Sequence, residues 1–422
     1  MDNQEYFQPP RKQKSNFGKG VLVGALASLL TVTLAAGGLW LGINAGLRKK
    51  SSSKQEESSK EAISEKSVEK KSGEIADLID QYYYEEVDEE ALVEGMYAGM
   101  VEGLGDPYSA YYTAEEYRAL NESTSGVYYG IGAVLTQNIN TKIVTILHVY
   151  AGTPAEEAGV KDGDVIVKVG DIEGDSMELS ELVTHIKGEE GTTVHLELLR
   201  SGEKEHIELD VTRRQIEVPT VEHQMLEGQV GFIQITEFSE STPEQFQAAW
   251  NELEGQGMES VIVDLRDNPG GVLQSVCAML DAILPEGLLV YTEDKYGSRS
   301  EYKSDAKCVK LPMAVLINGN SASASEIFAG AIKDYEYGTL IGTTSFGKGI
   351  VQTIIPMEDG SAVKVTMAKY FTPKGNYIHG AGIEPDIQLE YQYQEETEGE
   401  DYNPLHDNQV LKALEVLQEG EK

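Results

Sequence analysis

Along this 422-residue chain the hydrophobic positions change their period several times. Val21 to Leu47 is an apolar run of 27 residues without a charge. A bilayer core needs roughly 20, so the run predicts a transmembrane anchor at 21–47, behind a short cytoplasmic tail at 1–20; a cleaved leader has a shorter apolar segment. Residues 48–73 are mostly Ser, Lys, Glu and Gln and predict a disordered, solvated linker. A helical period begins at Ile75, with Ile75, Leu78, Ile79 and Tyr82 on one face, then Leu92, Met96, Met100 and Leu104 on another. Gly105-Asp106-Pro107 ends it, in an N-terminal helical region spanning 74–123.

The next segment reads as short strands: Gly130-Ile131-Gly132-Ala133-Val134-Leu135, then Val144 to Val149, a helix opened by Pro154-Ala155, and a turn at Gly163-Asp164. A helix over Leu179–Ile186 and a strand over Thr193–Leu199 follow. Together they resemble a PDZ domain at 124–213, and that resemblance implies capture of an extended peptide by strand addition. The dinucleotide fingerprint GxGxxG fails here, because its third glycine position is Leu135.

Strands and helices alternate beyond that point. Strands are predicted at Val230–Ile235, Ser260–Asp264, Met313–Ile317 and Ile350–Ile355, with helices over Pro243–Leu253, around Leu280–Leu284 and over Ser321–Asp334. The fold class is α/β (mixed α+β) with substantial parallel character, over a core at 214–392. An acidic linker and C-terminal helix complete the chain at 393–422; Val410, Leu411, Leu414 and Leu417 form an apolar face suited equally to a partner chain or to its own domain.

Charge narrows the list of partners. The net charge is −37, and the first 50 residues hold seven basic side chains against two acidic ones, so the remainder is more acidic still. Phosphate backbones repel such a body, which argues against nucleic-acid binding. The short N-terminal flank and the long acidic remainder suggest a single-pass protein with its body outside; lysine and arginine counts, equal on the two flanks, do not orient it. Cys277 and Cys308 suit one disulfide or two buried thiols, and neither they nor the seven histidines have metal-site spacing, so no metal and no cofactor is expected.

Three loops carry candidate chemistry. Asp264 to Gly271 contains Asn-Pro-Gly-Gly, which is turn chemistry but also leaves glycine N–H groups able to face an oxyanion. Ser321-Ala322-Ser323-Ala324-Ser325-Glu326 opens a helix; Ser323 and Glu326 fit a capping box, which leaves three serines interleaved with alanines unexplained. Phe346-Gly347-Lys348-Gly349 is a near miss to a phosphate loop, with Gly349 where magnesium binding needs Ser or Thr. A lysine there, in apolar surroundings, has its charged form disfavoured and suits a general base.

In combination these loops, with Gly105-Asp106-Pro107-Tyr108-Ser109 and Gly380 to Asp386, resemble the carboxyl-terminal processing peptidases (tail-specific proteases), a serine/lysine family, over roughly residues 75–420. The resemblance implies a bacterial, membrane-anchored endopeptidase with a core of ClpP/crotonase-like character. It places the nucleophile at Ser323, the base at Lys348 and a supporting amide at Gln352. Oxyanion donors would be the N–H of Ala324 and one of Gly270 and Gly271. Gly130, Ile131 and Gly132 match the loop that binds a substrate's terminal carboxylate. Implied partners are proteins with unstructured C-terminal tails, the cytoplasmic membrane and, through terminal helices, a second copy of the chain. Lys187 and Asn376 stand where relatives often carry arginine. The rival reading is a catalytically silent, membrane-tethered peptide-binding scaffold.

Overall fold

A computed structural model describes residues 64–394 and 402–419. The expected anchor at 21–47 and tail at 1–20 lie outside them, and no described helix is long and apolar enough to cross a membrane. In chain order the elements are α1 (Glu65–Tyr82), α2 (Glu89–Glu102), β1 (Ala110–Tyr112), α3 (Ala114–Ser125), β2 (Val127–Gly130), β3 (Ala133–Gln137), β4 (Val144–Val149), α4 (Pro154–Ala158), β5 (Val165–Val169), β6 (Ile172–Glu173), α5 (Leu179–Ile186), β7 (Thr193–Leu199), β8 (Ile207–Thr212) and β9 (Arg214–Glu217). They continue with β10 (Val221–Leu226), β11 (Val230–Ile235), α6 (Thr242–Gly255), β12 (Ser260–Asp264), α7 (Leu273–Ile283), β13 (Gly287–Asp294), β14 (Arg299–Ser304), β15 (Met313–Ile317) and α8 (Ala324–Asp334). The last are β16 (Gly338–Gly342), β17 (Ile350–Pro356), β18 (Ala362–Phe371), β19 (Ile387–Gln388) and α9 (Asn408–Glu419).

The described residues form two compact bodies, and the smaller comprises residues 64–117 with Gln352–Met367. Its sheet joins β1 to the start of β18, Ala110–Tyr112 facing Ala362–Lys364 in antiparallel register, so the segment 352–367, expected in the core, groups with the N-terminal helices. Helix α1 corrects the expected linker: it begins at Glu65, within the polar stretch assigned to disorder. Its first turns have little to bury, but Glu and Lys are good helix formers, Glu74 pairs with Lys70 and Lys71, and extending an existing helix costs far less than nucleating one.

Of the described residues the larger body holds 118–351, 368–394 and 402–419, with both the PDZ-like segment and most of the α/β core inside it. In the PDZ-like part β3, β4, β5, β7 and β8 form an antiparallel sheet, and Val144, Ile146, Leu196 and Leu198 pack with Leu182 and Ile186 of α5. The core sheet runs β10-β11-β12-β15-β16-β19 and is parallel from β11 onward. Strand β12 is buried along its whole length, as a central strand covered on both faces must be. Val261 and Val263 face α6, α7 and α8, packing with Trp250, Val276, Leu280 and Phe328. Ile262 points the other way, with Val410, Ala413 and Leu417 of α9. The C-terminal helix thus covers its own sheet.

One buried ion cluster ties that helix to the carboxyl end of β12. Arg266 bonds both oxygens of Asp264 and donates to Asp407 (2.7 Å) and Gln409 (2.9 Å). Both carboxylates are fully buried, so Arg266→Ala leaves two charges without their partner and should cost roughly 3–5 kcal/mol of stability. Urea unfolding of the variant beside the parent measures it; a difference below about 1 kcal/mol would mean the cluster is dispensable.

Candidate active site

The three loops meet at the carboxyl ends of β12 and β15, where open α/β sheets place their ligands. Helix α8 starts at Ala324, three residues later than expected, because the preceding serines serve other purposes. Ser321 Oγ donates to the Leu265 carbonyl (2.8 Å) and Ser325 Oγ to the Asn268 carbonyl (2.9 Å), stitching the helix entry to the Asn-Pro-Gly-Gly loop. The outer serines are structural ties, which singles out the middle one. Ser323 sits at the helix N-cap with φ +53° and ψ −112°, a conformation that costs a non-glycine residue on the order of 1–3 kcal/mol.

Glu326 holds Ser323 in that conformation. It is completely buried, and four donors converge on its two oxygens. The N–H of Ser323 (2.9 Å) and the N–H of Lys348 (2.8 Å) share Oε2; the N–H of Gly347 (2.7 Å) and the Ser345 hydroxyl (2.6 Å) share Oε1. Burial pushes this carboxyl's pKa above the ordinary range, and the four donors offset only part of that rise. Because two bonds meet on one atom, the backbone nitrogens of Ser323 and Lys348 are no farther apart than the two bond lengths together. The capping-box signature announced Glu326, but not that its main contacts are with a loop about twenty residues away.

Lys348 is 2% exposed, within a loop braced from outside. Ser345 N–H donates to the Ile383 carbonyl, Ile383 N–H donates to Ser345 Oγ (2.7 Å), and Gly380 N–H donates to the Gly347 carbonyl (2.8 Å). The Gly380–Ile383 segment therefore frames the lysine loop. The residue just before it comes so close that a Cβ at Gly349 would stand 2.6 Å from the His379 nitrogen, which explains glycine where a phosphate loop would carry Ser or Thr. Gln352 is buried in β17 and its amide donates to the Thr366 hydroxyl (3.3 Å).

The glycine loop is shaped from the opposite side. Asn268 Oδ1 accepts from the Gly270 N–H (2.8 Å) while its amide donates to the Ile235 carbonyl (2.8 Å). The Gly270 carbonyl accepts from Phe238 N–H, and Val272 N–H donates to the Phe238 carbonyl, which leaves the Gly271 N–H outside this ladder. Gly270 has φ +106°, and a Cβ there would lie 2.7 Å from Ser323 Cβ and 2.9 Å from the Ala324 nitrogen. Any side chain would fill the space those atoms face.

In the PDZ-like part the carbonyls of Ile131 and Gly132 are taken by the N–H groups of Ala155 (2.8 Å) and Tyr150 (3.0 Å), which sets the orientation of the Gly130-Ile131-Gly132 backbone. The Tyr128 ring lies against Gly130, with the Lys187 ammonium 4.9 Å from its centre and paired with Glu122 at 2.6 Å. Cys277 and Cys308 are both free thiols, and burial pushes the Cys277 thiol up to about 12. Among the described residues no group of His, Cys, Asp and Glu is arranged to hold a metal.

Comparison with known proteins gives three family matches: peptidase family S41 over residues 229–389, the N-terminal domain of the activating protease CtpB over 32–116, and a PDZ domain over 128–211. The carboxy-terminal processing protease CtpA of Bacillus subtilis (strain 168) is 39% identical over 310 residues, which cover 73% of this chain and 66% of that protein. The carboxy-terminal-processing protease of Bartonella bacilliformis is 35% identical over 358 residues, or 83% of this chain and 81% of that one. Among solved structures, a photosystem II D1 C-terminal processing protease is 31% identical with a TM-score of 0.45, over 74% of this chain and 86% of that chain.

Proposed function

The chain belongs to the carboxy-terminal processing proteases, serine-type endopeptidases of peptidase family S41, and on that premise we propose that Ser323 is its nucleophile and Lys348 its general base. The observation that carries this reading is the Glu326 carboxylate, which accepts from the backbone N–H groups of both residues and so ties two loops distant in sequence to one oxygen.

Ser323 Oγ attacks the scissile carbonyl carbon as its proton passes to the Lys348 amine. The tetrahedral oxyanion is received by the N–H of Ala324, at the amino end of α8, and by that of Gly271, since the Gly270 N–H is already committed to Asn268. Collapse breaks the C–N bond, and Lys348 returns its proton to the leaving amine. Water then attacks the acyl-serine as its proton passes to Lys348; collapse breaks the bond from the acyl carbon to Oγ, and Lys348 returns that proton to Oγ, restoring the hydroxyl and releasing the new carboxyl terminus. Removal from bulk water is the condition under which an amine serves as a base, and Lys348 meets it at 2% exposure.

Substrates are proteins with unstructured C-terminal tails, whose carboxylate docks on Gly130-Ile131-Gly132. Binding energy spent there is remote from the bond that breaks, so it should appear in turnover as well as in affinity. The full chain in detergent, given an unfolded protein with a free apolar tail, should cut it about ten-fold faster than the same protein with an amidated tail. Equal rates would remove the tail-capture part of the proposal. Tail binding without any cleavage would favour the silent scaffold.

The run Val21–Leu47 supports a single-pass anchor in a bacterial cytoplasmic membrane with the catalytic body outside. A homodimer through the terminal helices is supported by exposed apolar side chains along α1 and α2, including Ile75, Leu78, Tyr82, Met96 and Met100.

A further inference from the structure

Tyr370 lies on β18, 1% exposed, beyond every loop that the sequence marked as chemical. Its hydroxyl donates to the Ser323 carbonyl at 3.1 Å, and its backbone N–H donates to the Gly349 carbonyl at 3.1 Å. One residue thus touches both the nucleophile's main chain and the base's loop, on the carbonyl side, as Glu326 does on the N–H side. Burial raises the phenol's pKa well above its usual value, so the group remains a neutral donor throughout the working pH range.

The Ser323 carbonyl does not need this bond to be satisfied. It already accepts from the N–H of Glu326 (2.9 Å) and of Ile327 (3.0 Å) in the first turn of α8. A third donor on a satisfied carbonyl does something other than cap it. The peptide unit joining Ser323 to Ala324 is planar and trans, so the direction of its C=O dictates the opposite direction of the Ala324 N–H. That N–H is the backbone donor proposed for the oxyanion, and the bare face of Gly270 opens beside its nitrogen.

Resting on the assignment of Ser323 as nucleophile, we propose that Tyr370 is a positioning residue: its hydroxyl pulls on the Ser323 carbonyl and thereby aims the Ala324 N–H at the tetrahedral intermediate. It touches neither substrate nor reacting atoms. Its effect belongs to the transition state and not to tail binding.

The test is Tyr370→Phe in the full chain, which keeps the ring and the backbone bond to Gly349. The expected result is a kcat about ten-fold lower with KM for the tailed substrate within about two-fold, a smaller loss than the 10²–10³ of deleting an oxyanion donor. Affinity for a peptide aldehyde, which forms a tetrahedral adduct on serine, should fall in parallel with kcat/KM, while the thermal midpoint stays near the parent's. Unchanged kcat, or a loss that matches the fraction of unfolded protein, would overturn the proposal. Ser323→Ala in the same assay separates the two layers. Activity surviving there removes the assignment beneath, whereas a dead Ser323→Ala beside a fully active Tyr370→Phe removes the positioning role alone.

Discussion

Ser323→Ala and Lys348→Met should each lower kcat by about 10³-fold or more while tail binding persists, and the double variant should be no worse than either single one. Residues that act as one unit fail together: a hydroxyl without its base is a poor nucleophile, and a base without its hydroxyl has no proton to take. Methionine is the informative replacement for Lys348, one of the larger side chains the fold buries completely, because it preserves volume and removes only the amine. Alanine would add a cavity and confuse lost chemistry with lost stability. Steady-state cleavage of an unfolded protein, with circular dichroism to confirm folding, decides the matter. A folded Lys348→Met retaining a tenth of the parent rate would mean the base lies elsewhere.

Glu326→Gln should be nearly as damaging, although it changes one atom and touches no substrate. Two donors meet each carboxylate oxygen, so an amide turned either way sets its NH₂ against two of them. Each buried donor left unsatisfied costs about 1–3 kcal/mol, or roughly 2–6 kcal/mol for the pair. The variant should unfold at lower urea, and its surviving folded fraction should turn over about 10²-fold more slowly, since the link between the nucleophile's backbone and the lysine loop is the part disrupted. Active-site titration with a serine-directed probe separates the two effects. A variant with parent-like rate per labelled site would show that Glu326 serves stability alone.

Much of the architecture could be read from residue pattern because it rests on local periods. The run Ser260–Asp264, apolar through Val261–Val263, reads as a buried strand and is one, and the helix at Leu179–Ile186 and the strand at Thr193–Leu199 appear where their periods put them. Errors arose where tertiary bonds or helix extension overrode a local signal. Ser321 looks like a helix residue but bonds across to Leu265, and Ser323 takes a left-handed backbone, so α8 starts only at Ala324. Glu65 to Gly73 look too polar to order, yet they continue a helix whose apolar face begins later.

The site divides along the same line. The residue types in the three loops are sufficient to propose one of three serines, Lys348 and the glycine pair, because a hydroxyl, an amine and bare backbone N–H groups are chemistry visible in the letters themselves, and the family resemblance points to Ser323. Which serine is left to react, why Gly349 must be glycine, and how Glu326 joins nucleophile to base are relations between positions far apart in the chain. Tyr370 had no signal at all, lying on an ordinary strand whose pattern explains its burial. Local period and side-chain chemistry are carried by neighbouring residues and survive in a linear text. Hydrogen bonds on shared oxygens and close backbone approaches come into being only when the strand ends and loops converge, and for these the tertiary structure alone decides.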